Sequence, residues 1–319
     1  MSNMRISFTN PEGETMVVHP EAEATHGVYI ASDQLKGDII DAPVKTEWDS
    51  TAMQEGGTQR GVDYEYRDLN IGFHVTDNAG ISAEEADSTL RNFFDYEEDE
   101  WDPNPITQTR LDFETELSDV RSLDLLLAST PETVIVRDPI MQQYFNPLYT
   151  LRAGQPMWYE MVGGKPYKVT AFDFGAGDTD GFIGVENRTD RAARHSWVVA
   201  GGIGTKTWLP DITWSGAKGA REPGGTSPDR MLQLPTIAAP HMGGFRVTLN
   251  RGTLMVKDMG NTNVLGQMPV PGSYFMNRIP MYTRKQLLPV SVKDVPVGGG
   301  RIELRMPLLW SRPYGLERW

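Results

Sequence analysis

The 319-residue chain contains no cysteine, which excludes disulfide frameworks and thiolate metal sites and leaves the redox compartment open. Histidine is scarce: it occurs only at positions 19, 26, 74, 195 and 241, and none of the five falls in an HExxH or comparable ligand spacing. There is no GxSxG nucleophile elbow and no GxxxxGK[ST] phosphate loop. No run approaches 18 uninterrupted apolar residues, and the opening MSNMRISFTNPEGETM lacks the apolar region of a signal peptide, so a soluble, unexported chain without membrane insertion is expected. Positive charge is the minority: 30 Lys and Arg face 43 Asp and Glu, a net charge of -13. That balance argues against broad attraction to nucleic acid or anionic lipid. The Asp-rich FGAGDTDG stretch, with Asp173, Asp178 and Asp180, lacks EF-hand spacing and its closing glutamate, and a tight turn accounts for it. No catalytic residue, cofactor site or metal site is expected.

What the chain does contain is punctuation. There are 32 glycines and 22 prolines, and between them short segments such as YKVTAFDF, GFIGVEN, HSWVVAGG, GFRVTLN and GRIELRMP mix β-branched and aromatic residues. This pattern predicts an all-β protein with minor helix, because an α/β chain would need repeated helical stretches of about 10–15 residues. One helix is expected in ISAEEADSTLRNFF, capped by Ser82 with Glu85 three residues on, and with Ala86, Leu90 and Phe93 or Phe94 on one face. A second is expected in SDVRSLDLLLAS, where Val120, Leu123 and Leu127 share helical spacing. The alternation of Tyr64 and Tyr66, then Leu69, Ile71, Phe73 and Val75, predicts one or two half-buried strands, with a phase slip near Arg67 and Asp68 compatible with a bulge or a bend. The preceding STAMQEGGTQRG reads as an exposed loop. The length favours two domains, divided as 1–165, 166–300 and a C-terminal segment 301–319.

Two segments stand out. From Glu84 to Asp102 there are nine acidic residues and one basic residue, Arg91, interleaved with Phe93, Phe94, Tyr96 and Trp101. This reads either as a solvated helix end with aromatic anchors or as an acidic rim around an interface. The chain then ends on RMPLLWSRPYGLERW, basic and aromatic. Pro313 biases Arg312 toward an extended conformation and Gly315 permits a turn. Trp310 and Tyr314 are expected to anchor the segment, while Arg312 and Arg318 reach carboxylates or carbonyls.

The runs TDRAARHSWVVAGG, LPDITWSG, REPGGTSPDRMLQLPTI and LRMPLLWSRPYGLERW, with EGGTQRGVDYEYRDLNIGFHV, LRNFFDYEEDEWDP and YTLRAGQPMWYE before them, resemble the distal tail proteins of long-tailed bacteriophages, of the type that infects actinobacteria. The order of the pieces along nearly the whole chain carries the resemblance. It implies an N-terminal β-sandwich-like ring domain, a galectin-like β-sandwich domain, and a closing segment that packs on the ring domain or a neighbouring subunit. It further implies a non-enzymatic homohexamer at the virion tail tip, made in the host cytoplasm. Such a ring joins the tail tube protein to hub or baseplate proteins, and DNA passes through it without sequence recognition. The runner-up reading is a host-glycan-binding module of the tail tip, although the second half carries no carbohydrate signature and Trp197, Trp208 and Trp214 all suit core positions.

Overall fold

The computed structural model describes residues 4–78, 80–94, 108–133, 135, 138–250 and 252–317. They form two compact units, one of residues 1–159 with 310–315 and one of residues 160–309 with 316–319. The chain is largely β-sheet with one helix of note.

In the first unit the strands are β1 (Arg5–Thr9), β2 (Thr15–His19), β3 (Val28–Gly37), β4 (Val44–Asp49), β5 (Thr58–Tyr64), β6 (Arg67–Thr76), β7 (Thr109–Glu114), β8 (Arg121–Leu127) and β9 (Pro147–Ala153), with helix α1 (Ala83–Phe93) between β6 and β7. The longer strands of the main sheet pair antiparallel in the order β3–β6–β9–β8–β7–β1–β2, with short strands at 132–133, 144–145 and 158–160 added to it. The sheet curls so that its distant strands meet across one core: Phe8 of β1 lies edge-on to Phe73 of β6 at 5.9 Å. Phe94 and Tyr149 complete a four-ring cluster, with Phe8–Phe94 at 5.3 Å, Phe73–Tyr149 at 5.4 Å and Phe94–Tyr149 at 5.2 Å. Each such pair contributes about 0.5–1.5 kcal/mol beyond the burial of its area.

Strand β6 shows why the sequence folds this way. Leu69, Ile71, Phe73 and Val75 are all fully buried, as their period of two requires. Helix α1 covers the same core with Ala83, Ala86, Leu90 and Phe93. It starts where expected, because Ser82 accepts from the Glu85 amide while the Glu85 side chain accepts from the Ser82 amide, a reciprocal cap that satisfies two otherwise orphaned donors. Its end is tied by the Thr109 hydroxyl, which donates to the Phe93 carbonyl.

Two expectations need correction. Residues 121–127 are strand β8, not helix, because β7 and β9 pair with this segment through its two ends and its core period is two: Arg121, Leu123 and Leu125 are buried. Residues 58–61, expected at the end of a loop, are part of strand β5, which pairs along its length with β4.

The second unit is a two-layer β-sandwich. Its strands are β10 (Lys168–Phe174), β11 (Gly177–Asn187), β12 (Ser196–Gly201), β13 (Lys206–Pro210), β14 (Met231–Gln233), β15 (Gly244–Thr248), β16 (Val256–Asp258), β17 (Thr283–Val295) and β18 (Gly300–Met306). One sheet runs β10–β18–β12–β15–β16 and the other β11–β17–β13–β14. Trp197, Val199, Phe245, Val247, Ile302 and Leu304 from the first layer meet Ile183, Val185, Leu209, Val290 and Val292 from the second in one buried cluster. Strand β18 belongs to this sandwich; of the C-terminal segment, residues 310–315 alone pack in the first unit.

Candidate interface and anchoring sites

The β4–β5 hairpin forms a two-stranded sheet of its own in the first unit. Every residue of β4 is exposed, as is every residue of β5 except half-buried Gly61. Alternation sorts the side chains by face. Val44 opposes Tyr64 and Thr46 opposes Val62, with Trp48 following on the same side; Val44, Trp48, Val62 and Tyr64 are 59%, 60%, 44% and 38% exposed. The other side carries charge: Arg60 Nε meets Asp49 Oδ2 at 2.6 Å, and Lys45 Nζ meets Glu65 Oε1 at 2.9 Å. A bulge between Glu47 and Trp48 accommodates Arg60. Isolated hairpins are marginal in water, so this arm, with an apolar face left open in the single chain, has the composition of a contact element.

The returning C-terminal segment is held by two arginines. Arg67 and Arg121 are both fully buried, and each is the first residue of its strand, in phase with the core positions that follow. Arg67 Nη2 donates to the Ser311 carbonyl at 3.0 Å, while its other nitrogens reach the carbonyls of Asp38 at 2.5 Å and of Ile39 and Pro156 at 2.8 Å. Arg121 donates to the carbonyls of Arg312 and Gly315, both at 2.9 Å, and its guanidinium lies 3.8 Å from the centre of the Trp310 ring. The Gly315 amide closes the arrangement by donating to Ser118 Oγ at 2.9 Å. A planar fork with fixed donors suits this bridging of several carbonyls, and an ammonium does not.

Among the expected contact residues, Trp310 is fully buried and Tyr314 is 39% exposed. Pro313 is buried between them. Arg312 Nε reaches Asp41 Oδ1 at 2.5 Å on the surface, where an ion pair contributes about 0–1 kcal/mol. Phe93 and Phe94 turn into the core of the first unit. Tyr96, Trp101 and Arg318, with the acidic run 97–102, lie outside the described residues. Arg301 and Arg305 pair within the second unit with Asp173 and Glu303, and these arginines hold the Glu303 carboxyl below its ordinary range, Arg305 foremost. Sequence reasoning missed Arg67 and Arg121. The signal was present: an arginine that occupies the inward phase of an apolar alternation must bury its guanidinium and find oxygens for it.

His74 and His195 hold structural positions. His74 shares a hydrogen bond with the Tyr144 hydroxyl and lies between the Tyr29 and Tyr144 rings. His195 is buried edge-on to Trp197 at 5.6 Å, and burial pushes its pKa down to about 4, so it is neutral at pH 7. Asp178 accepts from the Asp294 amide at 2.9 Å and Asp173 pairs with Arg301. Among the described residues no group of three His, Asp or Glu side chains is placed to hold a metal ion, and no helix is long and apolar enough to cross a membrane.

No protein-family model matches the chain, and no curated protein matches it by sequence. Solved structures do. The crystal structure of the SPP1 Dit (gp 19.1) protein, a paradigm of the hub adsorption apparatus in phages that infect Gram-positive bacteria, is similar with a TM-score of 0.50 at 8% identity, over 96% of this chain and 98% of that one. The chain has the fold of SPP1 Dit. Two structures of the phage p2 baseplate in its activated conformation, with Ca and with Sr, give TM-scores of 0.46 and 0.48 at 10% and 11% identity over the same shares. At 8% identity the likeness to SPP1 Dit is one of fold, and what it means for function depends on the surfaces described above.

Proposed function

We propose that the chain is a structural distal tail protein: a non-enzymatic component of a phage tail tip, six copies of which close into a ring that joins the tail tube to hub or baseplate proteins. The observation that carries this reading is the likeness to SPP1 Dit over nearly the full length of both chains. The exposed β4–β5 arm supports it, because a ring subunit needs a surface whose natural state is covered. In a closed ring one heterologous interface repeats and no copy is left with an open face. Burying the exposed halves of Val44, Trp48, Val62 and Tyr64 contributes roughly 1 kcal/mol each per interface, before the cost of ordering the arm. The second unit is the galectin-like domain of this reading. The chain's net charge of -13 keeps DNA from adhering as it passes through the ring.

Negative-stain microscopy and light scattering of the purified protein, alone and with its tail tube and hub partners, test the proposal. Sixfold rings are expected. A particle reconstruction that places the chain away from the tail tip removes the role, and a closed ring of another copy number corrects the stoichiometry.

A further inference from the structure

One end of the second unit is laced together from three segments. Strand β11 finishes there at Asn187, and β17 begins opposite it at Thr283. Asn187 Nδ2 donates to the carbonyls of Arg191, Ile279 and Pro280 at 2.8, 3.3 and 2.9 Å, and Ala193 and Ile279 exchange both of their main-chain hydrogen bonds. The loop after β13 joins them: the Gly219 amide donates to the Tyr282 carbonyl at 3.1 Å, and Gln286 Nε2 donates to the Arg221 carbonyl. These bonds bring Lys218 and Arg221 to the start of β17, where Arg284 and Lys285 lie, and Arg278 precedes the residue that bonds Ala193.

These segments reverse the charge balance of the chain. Some of their ionic groups are satisfied locally: Arg188 meets Glu160 at 2.6 Å, Arg191 meets Asp190 at 3.7 Å and Arg230 meets Asp211 at 3.0 Å. Lys218, Arg221, Arg278, Arg284 and Lys285 form no ion pair with any described residue, and all but half-buried Arg221 are exposed. Arg221 Nε is buried and finds no acceptor among the described residues, so this charge is poorly compensated within the chain. The same segments set only Glu222 and Asp229 against these cations. A surplus of positive charge is thus gathered at one end of a unit in a chain whose net charge is -13.

We propose that this basic end of the second unit docks the acidic run 95–102 of a second copy of the chain. Charge selects the occupant. The run, DYEEDEWD, holds Asp95, Glu97, Glu98, Asp99, Glu100 and Asp102 and no basic residue. Arg301, Arg305 and Arg312 are engaged with Asp173, Glu303 and Asp41, whereas the cations on the three laced segments are uncommitted. One exposed ion pair contributes little, but several that converge on one segment steer the encounter and fix its register. Their side chains are carried on backbone that its own hydrogen bonds already hold, so little further ordering is needed on that side of the contact. The contact rests on the ring reading above, in which one heterologous interface repeats between copies. It gives that interface a salt-sensitive part in addition to the apolar arm.

The test mixes unlabelled and isotope-labelled intact protein, treats the mixture with a water-soluble carbodiimide, which joins an amine to a carboxylate without a spacer, and maps the products by mass spectrometry. Mixed-isotope cross-links from Lys218 or Lys285 to residues 95–102 are expected, several-fold fewer at about 0.5 M salt, where the screening length is roughly 4 Å. In parallel, a fluorescent peptide of residues 95–102 is titrated into dispersed single copies. Saturable binding is expected, and Arg284→Glu combined with Lys285→Glu should weaken it by roughly tenfold or more. Both positions are exposed, so thermal unfolding should not move. Absence of these cross-links, or links confined to a single isotope, overturns the proposal, as does peptide binding that is unchanged in the paired variant. Binding of a single-stranded oligonucleotide in place of the peptide assigns the basic end to nucleic acid and overturns it likewise. Rings that form without the cross-links refute this contact alone and leave the distal-tail reading in place.

Discussion

Replacing Arg121 tests how the C-terminal segment is held. The Arg121→Ala change removes two charge-assisted hydrogen bonds of 2.9 Å, to the carbonyls of Arg312 and Gly315, and a stacking contact of 3.8 Å with Trp310. Hydrogen bonds to a charged group contribute about 1.5–3 kcal/mol each, and a desolvated cation over an indole adds up to about 2 kcal/mol. Part of this is returned, because the mutant no longer desolvates a guanidinium. Against that, the side chain is fully buried, so truncation leaves a cavity beside Trp310. The net expected loss is about 3–5 kcal/mol, the usual cost of deleting one member of a buried charged contact. Arg121→Lys should lose roughly half as much, since a point ammonium can serve one carbonyl but not both. Urea unfolding followed by circular dichroism gives the free energies, and hydrogen exchange at residues 311–317 localises the change, the Gly315 amide becoming the most deprotected. If Arg121→Ala stays within about 1 kcal/mol of wild type and the Gly315 amide exchanges at its former rate, the carbonyl-clamp argument is wrong.

Trp310→Ala should cost about 3–5 kcal/mol, whereas Arg312→Ala and Tyr314→Ala should each stay within about 1 kcal/mol, which the same urea curves resolve. The paired change Trp48→Ser with Val62→Ser should leave monomer stability within about 0.5 kcal/mol while abolishing higher-order species in light scattering; rings that persist exclude the arm from the interface. His195 titrates at about 4 in the folded chain and near 6.5 when unfolded. The unfolded state therefore binds the extra proton first, so the contribution is complete above pH 6.5 and is lost as pH falls toward 4, at up to about 1.4 kcal/mol per pH unit. His195→Phe should flatten that part of the stability-pH curve, and an unchanged slope refutes the assignment. Gly299→Ala should destabilise the second unit by about 2 kcal/mol or more, because Gly299 has φ +65 and a Cβ there would lie 2.1 Å from the Phe174 carbonyl; calorimetry reads the shift.

Legibility of the fold in the sequence follows burial. Strand β6 and helix α1 were readable because one side of each is wholly buried, so its period is written in apolar residues: Leu69, Ile71, Phe73 and Val75 at two, Ala86, Leu90 and Phe93 at three to four. The segment 121–127 misled because its leucines satisfy both periods, and pairing with β7 and β9 decides between them. The first half of arm strand β5, residues 58–61, was read as loop for the opposite reason. Only Gly61 in it is half-buried, and a segment without a buried apolar face leaves no alternation to detect. A strand that stays exposed in the single chain is thus one that a lone sequence, read for a core, assigns to a loop.

The clamp shows a second limit. Its contacts to the terminal segment run through main-chain carbonyls of Ser311, Arg312 and Gly315, so the side chains at two of those positions, Ser311 and Arg312, are not what the arginines recognise. What the segment must keep is a ring at 310 for Arg121 to stack on, a proline at 313 that fits its buried place, and a residue at 315 that tolerates φ +71. Backbone recognition of this kind constrains conformation and leaves identity free. The same logic applies across the molecule, since ladder pairing and buried alternation also fix shape without fixing residues. A fold held this way can be similar over 96% of its length while 8% of its residues agree.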